Sequence, residues 1–196
     1  MSQAPITQIT STANPRIKEL VRLRERRARD ERGLLLIEGY RELTRALAAK
    51  VAILEFYYCP SFFLGENEEA LLAQAAACGA TLFELSPEPF RKISYRDRPD
   101  GLIATAPQVG LTLDRLPLKA NPLLIVAEAI EKPGNLGTML RSADAVGADG
   151  IVICDGVTDI NNPNVVRAST GTLFHVPVAN ATRAETLAFV KKQGLA

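Results

Sequence analysis

Two short apolar runs constrain this chain more than any other feature. Leu123-Leu-Ile-Val-Ala127 and Gly150-Ile-Val-Ile-Cys154 are separated by a stretch of helical spacing, Leu136 to Val146. Runs that do not alternate between apolar and polar residues read as parallel strands covered on both faces, with the intervening helix as the crossover. Upstream the same alternation repeats: strand Gly33 to Glu38, helix Gly39 to Lys50, strand Ile53 to Cys59, helix Glu66 to Cys78, strand Thr81 to Leu85, helix Ser86 to Ile93 and strand Gly101 to Ala106. Downstream, a polar loop Asp155 to Asn164 leads into a short helix Pro163 to Thr170. A strand Leu173 to Val178 and a helix Arg183 to Lys192 follow. Between Pro107 and Pro122 the periodicity fails and Pro117 intervenes, as in a linker. The expectation is an α/β protein of two domains, residues 1–108 and 122–196, joined by a linker over 109–121.

Composition narrows the function classes. No stretch of 18 apolar residues occurs, and the polar Met1 to Thr12 has no signal-peptide pattern, so the expected location is the cytoplasm, with no membrane partner. Three widely spaced cysteines and a single histidine, His175, argue against a disulfide framework and a zinc site, and no metal is expected. One histidine also leaves little room for a Ser-His-Asp triad. His175 itself reads as a surface or hydrogen-bonded side chain in an alternating strand.

The net charge of +1 conceals an uneven distribution. Arg16 to Arg32 carries eight bases against four acids, arginines outnumbering lysines seven to one, behind a helix start at Asn14-Pro15. That segment is either a solvated face laced with Glu/Arg pairs or a phosphate-facing patch containing Arg16, Arg22 and Arg26.

In a parallel α/β sheet, ligands bind beyond the carboxyl ends of the strands, so the loops after the two apolar runs are the ones to inspect. The first, Glu128 to Asp144, has neither a dinucleotide fingerprint nor a phosphate loop, which disfavours nicotinamide or nucleoside triphosphate cofactors. It places Asn135 near a helix N-terminus and Arg141 six residues later. An amide, free backbone N–H groups and a cation could converge there on an anion. Equally, Asn135 could cap the helix while Arg141 pairs with Asp144. The second loop ends in a helix capped by Asn162, with Pro163 at its first position and Gly171 at its end; it is either a polar connector, the commoner case, or a second anion site with Arg167 and Ser169 as candidates.

The stretch Glu131-Lys-Pro-Gly-Asn-Leu-Gly-Thr-Met-Leu-Arg141-Ser-Ala-Asp, with Asn162-Pro-Asn-Val-Val-Arg167-Ala-Ser-Thr-Gly171 behind it, resembles the SpoU (TrmH) family of RNA ribose 2′-O-methyltransferases, part of the SPOUT superfamily. The preceding Ile9-Thr-Ser-Thr-Ala-Asn-Pro-Arg16 and Leu36-Ile-Glu-Gly-Tyr-Arg-Glu-Leu43 are similar to the substrate-binding domain of such enzymes, a small α/β unit like an RNA-binding ribosomal protein. The resemblance implies an RNA-binding domain followed by the first part of an α/β knot domain, with S-adenosyl-L-methionine as methyl donor. It favours ribosomal RNA as substrate, with transfer RNA left open, and implies a homodimer at full length. Asn135 and Arg141 would be catalytic, and Glu131, Arg167, Ser169, Arg16, Arg22 and Arg26 would contact substrate. The family's G-x-E-x-x-G and Ser-Leu-Asn-Val-Ser motifs, which form the knot and enclose the donor, do not occur here. The donor-binding residues are therefore unassigned, and these 196 residues alone are expected to be weak or inactive. A non-catalytic RNA-binding protein that retains the fold is the alternative.

Overall fold

The computed structural model describes residues 7–195, so residues 1–6 of the polar N-terminal stretch, and Ala196, lie outside the described residues. The chain divides into two compact units, Met1–Gln108 and Val109–Ala196. Among the described residues, no helix is long and apolar enough to cross a membrane.

The first unit runs β1 (Thr7–Ile9), α1 (Pro15–Arg22), α2 (Arg26–Arg32), β2 (Leu34–Glu38), α3 (Tyr40–Ala48), β3 (Glu55–Tyr58), α4 (Glu68–Ala77), β4 (Thr81–Leu85), α5 (Pro87–Ile93) and β5 (Leu102–Pro107). Its sheet has the order β1-β4-β3-β5-β2. Strands β1, β4 and β3 are parallel, whereas β5 runs antiparallel to both of its neighbours. Alternation along the strands sends Leu36, Tyr57, Phe83 and Ile103 to one face, where Ile17 and Leu20 of α1 and Phe90 and Ile93 of α5 seal a single core.

The basic segment is two helices rather than one. α1 is capped by the Asn14 side chain, which accepts from the Arg16 N–H, and it ends at Arg22. Ile17, Leu20 and Leu23 supply its buried stripe, and no further apolar side chain larger than alanine follows until Leu34, so a continued helix would have had nothing large to bury. Arg29 of α2 turns inward instead. It is 1% exposed, and its Nη1 donates to the carbonyls of Leu23 and Arg24 at the break, both at 2.8 Å. Arg29→Ala is therefore expected to destabilise this unit by about 3 kcal/mol in denaturant unfolding, since it leaves buried carbonyls without a charged donor. Arg29→Lys should recover little, because an ammonium lacks the planar fork.

The second unit contains β6 (Leu124–Glu128), α6 (Pro133–Val146), β7 (Gly150–Cys154), α7 (Pro163–Ala168), β8 (Val178–Ala181) and α8 (Arg183–Lys192), with the parallel order β6-β7-β8. β7 is buried throughout. β6 lies at the edge of the sheet and departs from the expected burial on both faces, with Val126 46% exposed. The strand expected at Leu173 to Val178 is a 3-10 turn, Thr172–Phe174, and β8 begins only at Val178. The left-handed backbone at Thr170 and Gly171 turns the chain before the pattern Leu-Phe-His-Val can extend, leaving His175 exposed outside any strand.

Residues 109–121, expected as a linker, pack within this unit. The Leu111 N–H donates to the Val178 carbonyl at 2.8 Å, and Asn161 clasps Val109 through both its N–H and its C=O. Leu111, Leu113, Leu116 and Leu118 lie against Val152 and Ala179. The spacing of these leucines fits neither regular period, which is why the segment reads as unstructured. Its far end is anchored by Asp149, which takes Lys119 Nζ and the Leu123 N–H, each at 2.9 Å. The Lys119 hydrogen bond, reinforced by that N–H, holds the Asp149 carboxyl below the usual aspartate range. A depressed folded-state pKa stabilises the fold above the unfolded value and is lost as pH falls through the folded one. Thermal unfolding of the wild type and of Asp149→Asn should therefore differ at neutral pH and converge well below about pH 4.

Candidate active site

The two loops leaving the carboxyl ends of β6 and β7 lie side by side. The Thr158 N–H of the second donates to the Ile130 carbonyl of the first at 3.1 Å. The first residue beyond each strand, Ala129 and Asp155, has left-handed backbone, with φ of 53° and 46°. Such a conformation costs roughly 1–2 kcal/mol without a glycine. Here each turn is fastened by a hydrogen bond, Ala129 N–H to the Cys154 carbonyl and Asp155 N–H to the Ala181 carbonyl, both at 3.0 Å. These fixed turns launch α6 and, further along, α7.

Lys132 caps α6 with Pro133 at its first position, so Asn135 does not cap it. Asn135 sits exposed in the first turn, and among the described residues its side chain has no partner. Arg141 follows about one and a half turns later and does not pair with Asp144. Its Nη1 donates to the Ala168 carbonyl of α7 at 2.9 Å and its Nη2 to Thr138 Oγ at 3.3 Å, while the Thr138 hydroxyl donates to the Gly134 carbonyl at 3.0 Å. The guanidinium is thus steered by neutral oxygens, stays exposed and retains N–H groups for a ligand. Arg167 projects exposed from α7, next to the Ala168 carbonyl that holds Arg141, and Glu131 is exposed just before α6.

Ser169 is corrected. It is fully buried, its hydroxyl donating to the Val166 carbonyl at 2.7 Å and accepting the Gly171 N–H at 3.2 Å. It therefore locks the end of α7 and has no face toward a substrate. That helix begins as expected, with Asn162 accepting from the Asn164 N–H and Pro163 at its first position, but it ends at Ala168, short of Gly171.

Two features escaped the sequence reading. Thr138 lies three residues before Arg141, a helical neighbour whose spacing was available as a signal. Gly137 is the point where α6 meets α7: a Cβ there would lie 2.6 Å from the Ala168 carbonyl carbon and 2.7 Å from the Ser169 nitrogen. A glycine inside a helix was the clue to that approach.

Arg16, Arg22 and Arg26 belong to the first unit. Arg16 pairs with Glu55 and lies 4.5 Å over the Phe83 ring, which together fix the orientation of its guanidinium. Arg22 and Arg26 remain largely exposed, with loose helix-surface pairs to Glu19 at 3.4 Å and Asp30 at 3.5 Å that a phosphate could displace at little cost. Among possible metal ligands, Glu128, Cys154 and Asp155 converge at the strand tips, but the Arg183 N–H donates to Asp155 at 3.3 Å and its guanidinium lies 3.7 Å from Glu128.

Comparison with known proteins bears on both units. Residues 14–104 match the MRM3-like substrate binding domain, and residues 122–196 match the SpoU rRNA methylase family. An uncharacterized tRNA/rRNA methyltransferase of Synechocystis is 34% identical over 175 residues, 88% of this chain and 61% of the relative. The crystal structure of an RNA 2′-O ribose methyltransferase superposes with a TM-score of 0.81 at 42% identity, covering 96% of this chain and 70% of that one. An S-adenosylmethionine-bound rRNA methyltransferase from Sinorhizobium meliloti gives a TM-score of 0.85 at 27% identity, over 96% of this chain and 69% of that one. The chain thus spans 61% of the length of its Synechocystis relative.

Proposed function

Since the chain belongs to the SpoU family of RNA methylases, we propose that it serves transfer of a methyl group from S-adenosylmethionine to a ribose 2′-hydroxyl of ribosomal RNA, with Arg141 and Asn135 at the acceptor. The observation that carries this reading is the exposed guanidinium of Arg141, held by the Ala168 carbonyl and Thr138 where α6 meets α7. When bound, S-adenosylmethionine supplies an electrophilic methyl group on a sulfonium. The family motifs that enclose the donor do not occur in this sequence, so no residue here is assigned to hold it.

What this chain contributes is position and charge. Because a guanidinium does not readily give up its proton, we assign Arg141 to orient and polarise the hydroxyl oxygen together with the neighbouring phosphate. The hydroxyl's own proton passes to solvent as the oxygen–carbon bond forms and the carbon–sulfur bond breaks; base catalysis by Arg141 is the stronger alternative. Methyl transfer requires in-line alignment of oxygen, carbon and sulfur, and fixing the acceptor can supply several kcal/mol of barrier lowering, on the order of that measured for oriented reactants. Asn135 offers an unspent amide one and a half turns away. Glu131 and Arg167 flank the same loops, and the exposed Arg22 and Arg26 of the first unit supply phosphate contacts. A homodimer is what the family resemblance suggests, a cytoplasmic location rests on the absence of a signal-peptide pattern in the sequence, and no metal is given a role.

The test compares these 196 residues with a form extended through the two family motifs, each supplied with methyl-labelled donor and ribosomal RNA. Label from a ribose 2′-oxygen survives alkaline hydrolysis in dinucleotides, because that oxygen can no longer attack the adjacent phosphate. The reading expects alkali-stable label from the extended form and little from the 196 residues alone. Label in mononucleotides would place the methyl on a base and contradict it, and RNA binding without transfer by either form would favour a non-catalytic binding protein.

A further inference from the structure

The first unit contains a cleft unrelated to the α6–α7 face. It has a volume of 220 Å³ and opens between α1 and the sheet, lined by Arg16, Glu19, Arg32, Glu55, Tyr57 and Thr105. Its charges come as two ion pairs, Arg16 with Glu55 and Arg32 with Glu19. The Tyr57 hydroxyl donates to Glu55 at 2.7 Å and fixes that carboxylate. At the inner wall Thr105 is 2% exposed, and its hydroxyl has no partner among the described residues. Thr105 stands directly opposite Glu55 across the β3–β5 ladder, so both side chains emerge on the same face of the sheet.

Buried hydroxyls are almost always satisfied, so an orphan at the wall of a charged cleft marks a place for a ligand's polar atom. The cleft is smaller than the roughly 300–1,000 Å³ of sites for drug-sized molecules, which suits one ring system rather than a whole nucleotide. Carboxylates beside guanidiniums present acceptors next to donors. Guanine is the base whose edge matches, with two adjacent N–H donors at N1 and N2 for a carboxylate, and O6 and N7 for an arginine fork. Uracil offers one donor between two acceptors, and adenine and cytosine offer only an exocyclic amine as donor. A duplex cannot enter so narrow a cleft, whereas an unpaired base can be read on its edges in this way.

We propose that this cleft receives an unpaired guanine of the RNA substrate, held between Arg16–Glu55 and Arg32–Glu19 with Thr105 bonding its edge. The proposal rests on the RNA-methyltransferase reading and adds a specificity-determining contact in the first unit.

Fluorescence anisotropy with the full chain tests it, using labelled short oligouridine and the same oligomer with one central guanosine. The guanosine should raise affinity about tenfold, the order expected of one bidentate base contact. Thr105→Val and Glu55→Gln should each erase that increment while leaving oligouridine binding intact. Thr105→Val should melt no lower than the wild type, because the hydroxyl it removes is unpartnered; loss of the increment in a fully stable variant is an effect that packing alone would not produce. Equal binding of the two oligomers, or an increment that survives both variants, would overturn the proposal while leaving the RNA-methyltransferase reading in place. Binding of neither oligomer would count against both. Free guanosine 5′-monophosphate should compete only weakly; competition at the affinity of the RNA would make the cleft a mononucleotide site and overturn its assignment to RNA.

Discussion

In the form extended through the two family motifs, Arg141→Ala is expected to slow methyl transfer by about 100- to 1,000-fold, the range seen when one positioned donor is removed from a developing charge. It should leave the unfolding midpoint nearly unchanged. The separation of the two effects follows from the environment of the side chain. Arg141 is exposed and its partners, the Ala168 carbonyl and Thr138 Oγ, are both accessible to water once the guanidinium is gone, so little buried hydrogen-bonding capacity is stranded. Arg141→Lys should rescue only a small part of the rate, because a point charge cannot hold the α7 carbonyl and face a ribose-phosphate together. A variant that loses stability but keeps its rate would mean that Arg141 is a strut between two helices and nothing more.

The second large effect lies at Gly137. A methyl group there would come within 2.6 Å of the Ala168 carbonyl carbon and 2.7 Å of the Ser169 nitrogen, and backbone atoms cannot swing aside as a side-chain tip would. Gly137→Ala therefore forces α6 and α7 apart, at a cost of about 2–3 kcal/mol measured by denaturant unfolding. Because the Ala168 carbonyl orients Arg141, the rate should fall with it. Gly134→Ala, in the first turn of the same helix, is the control. A Cβ at Gly134 meets nothing within 4 Å, so that change should be neutral or stabilise by about 0.5 kcal/mol through helix propensity. If Gly137→Ala behaved like Gly134→Ala, the close approach of the two helices would not be what places the guanidinium.

Parts of this arrangement were visible in the sequence. The apolar run Gly150-Ile-Val-Ile-Cys154 is the buried central strand, and Asn162-Pro163 opens α7 with the cap that its residues dictate. Other parts carried no readable signal. Val178-Ala-Asn-Ala181 is a strand of weak propensity whose place is set by pairing with β7, while the more strand-like Leu173-Phe-His-Val176 is diverted by the turn at Thr170 and Gly171. The break in the basic segment has neither proline nor glycine to announce it. It arises because the apolar stripe stops at Leu23 and Arg29 folds back to the freed carbonyls. Ser169 looked like a substrate contact because serine is polar, and only the packing of α6 on α7 shows it fully enclosed. Composition likewise could not separate Arg29, which is buried, from Arg22 and Arg26, which are not.

The central claim is that the target ribose lies against Arg141. The direct measurement is a cycle of four affinities: wild type and Arg141→Ala, each binding RNA with a 2′-hydroxyl or a 2′-hydrogen at the ribose that accepts the methyl group, once mapped. A direct contact predicts that removing the hydroxyl weakens binding to the wild type but not to the variant, with a coupling of about 1 kcal/mol or more. Equal penalties in both proteins, giving no coupling, would put the hydroxyl elsewhere and contradict the assignment of this face as the acceptor site.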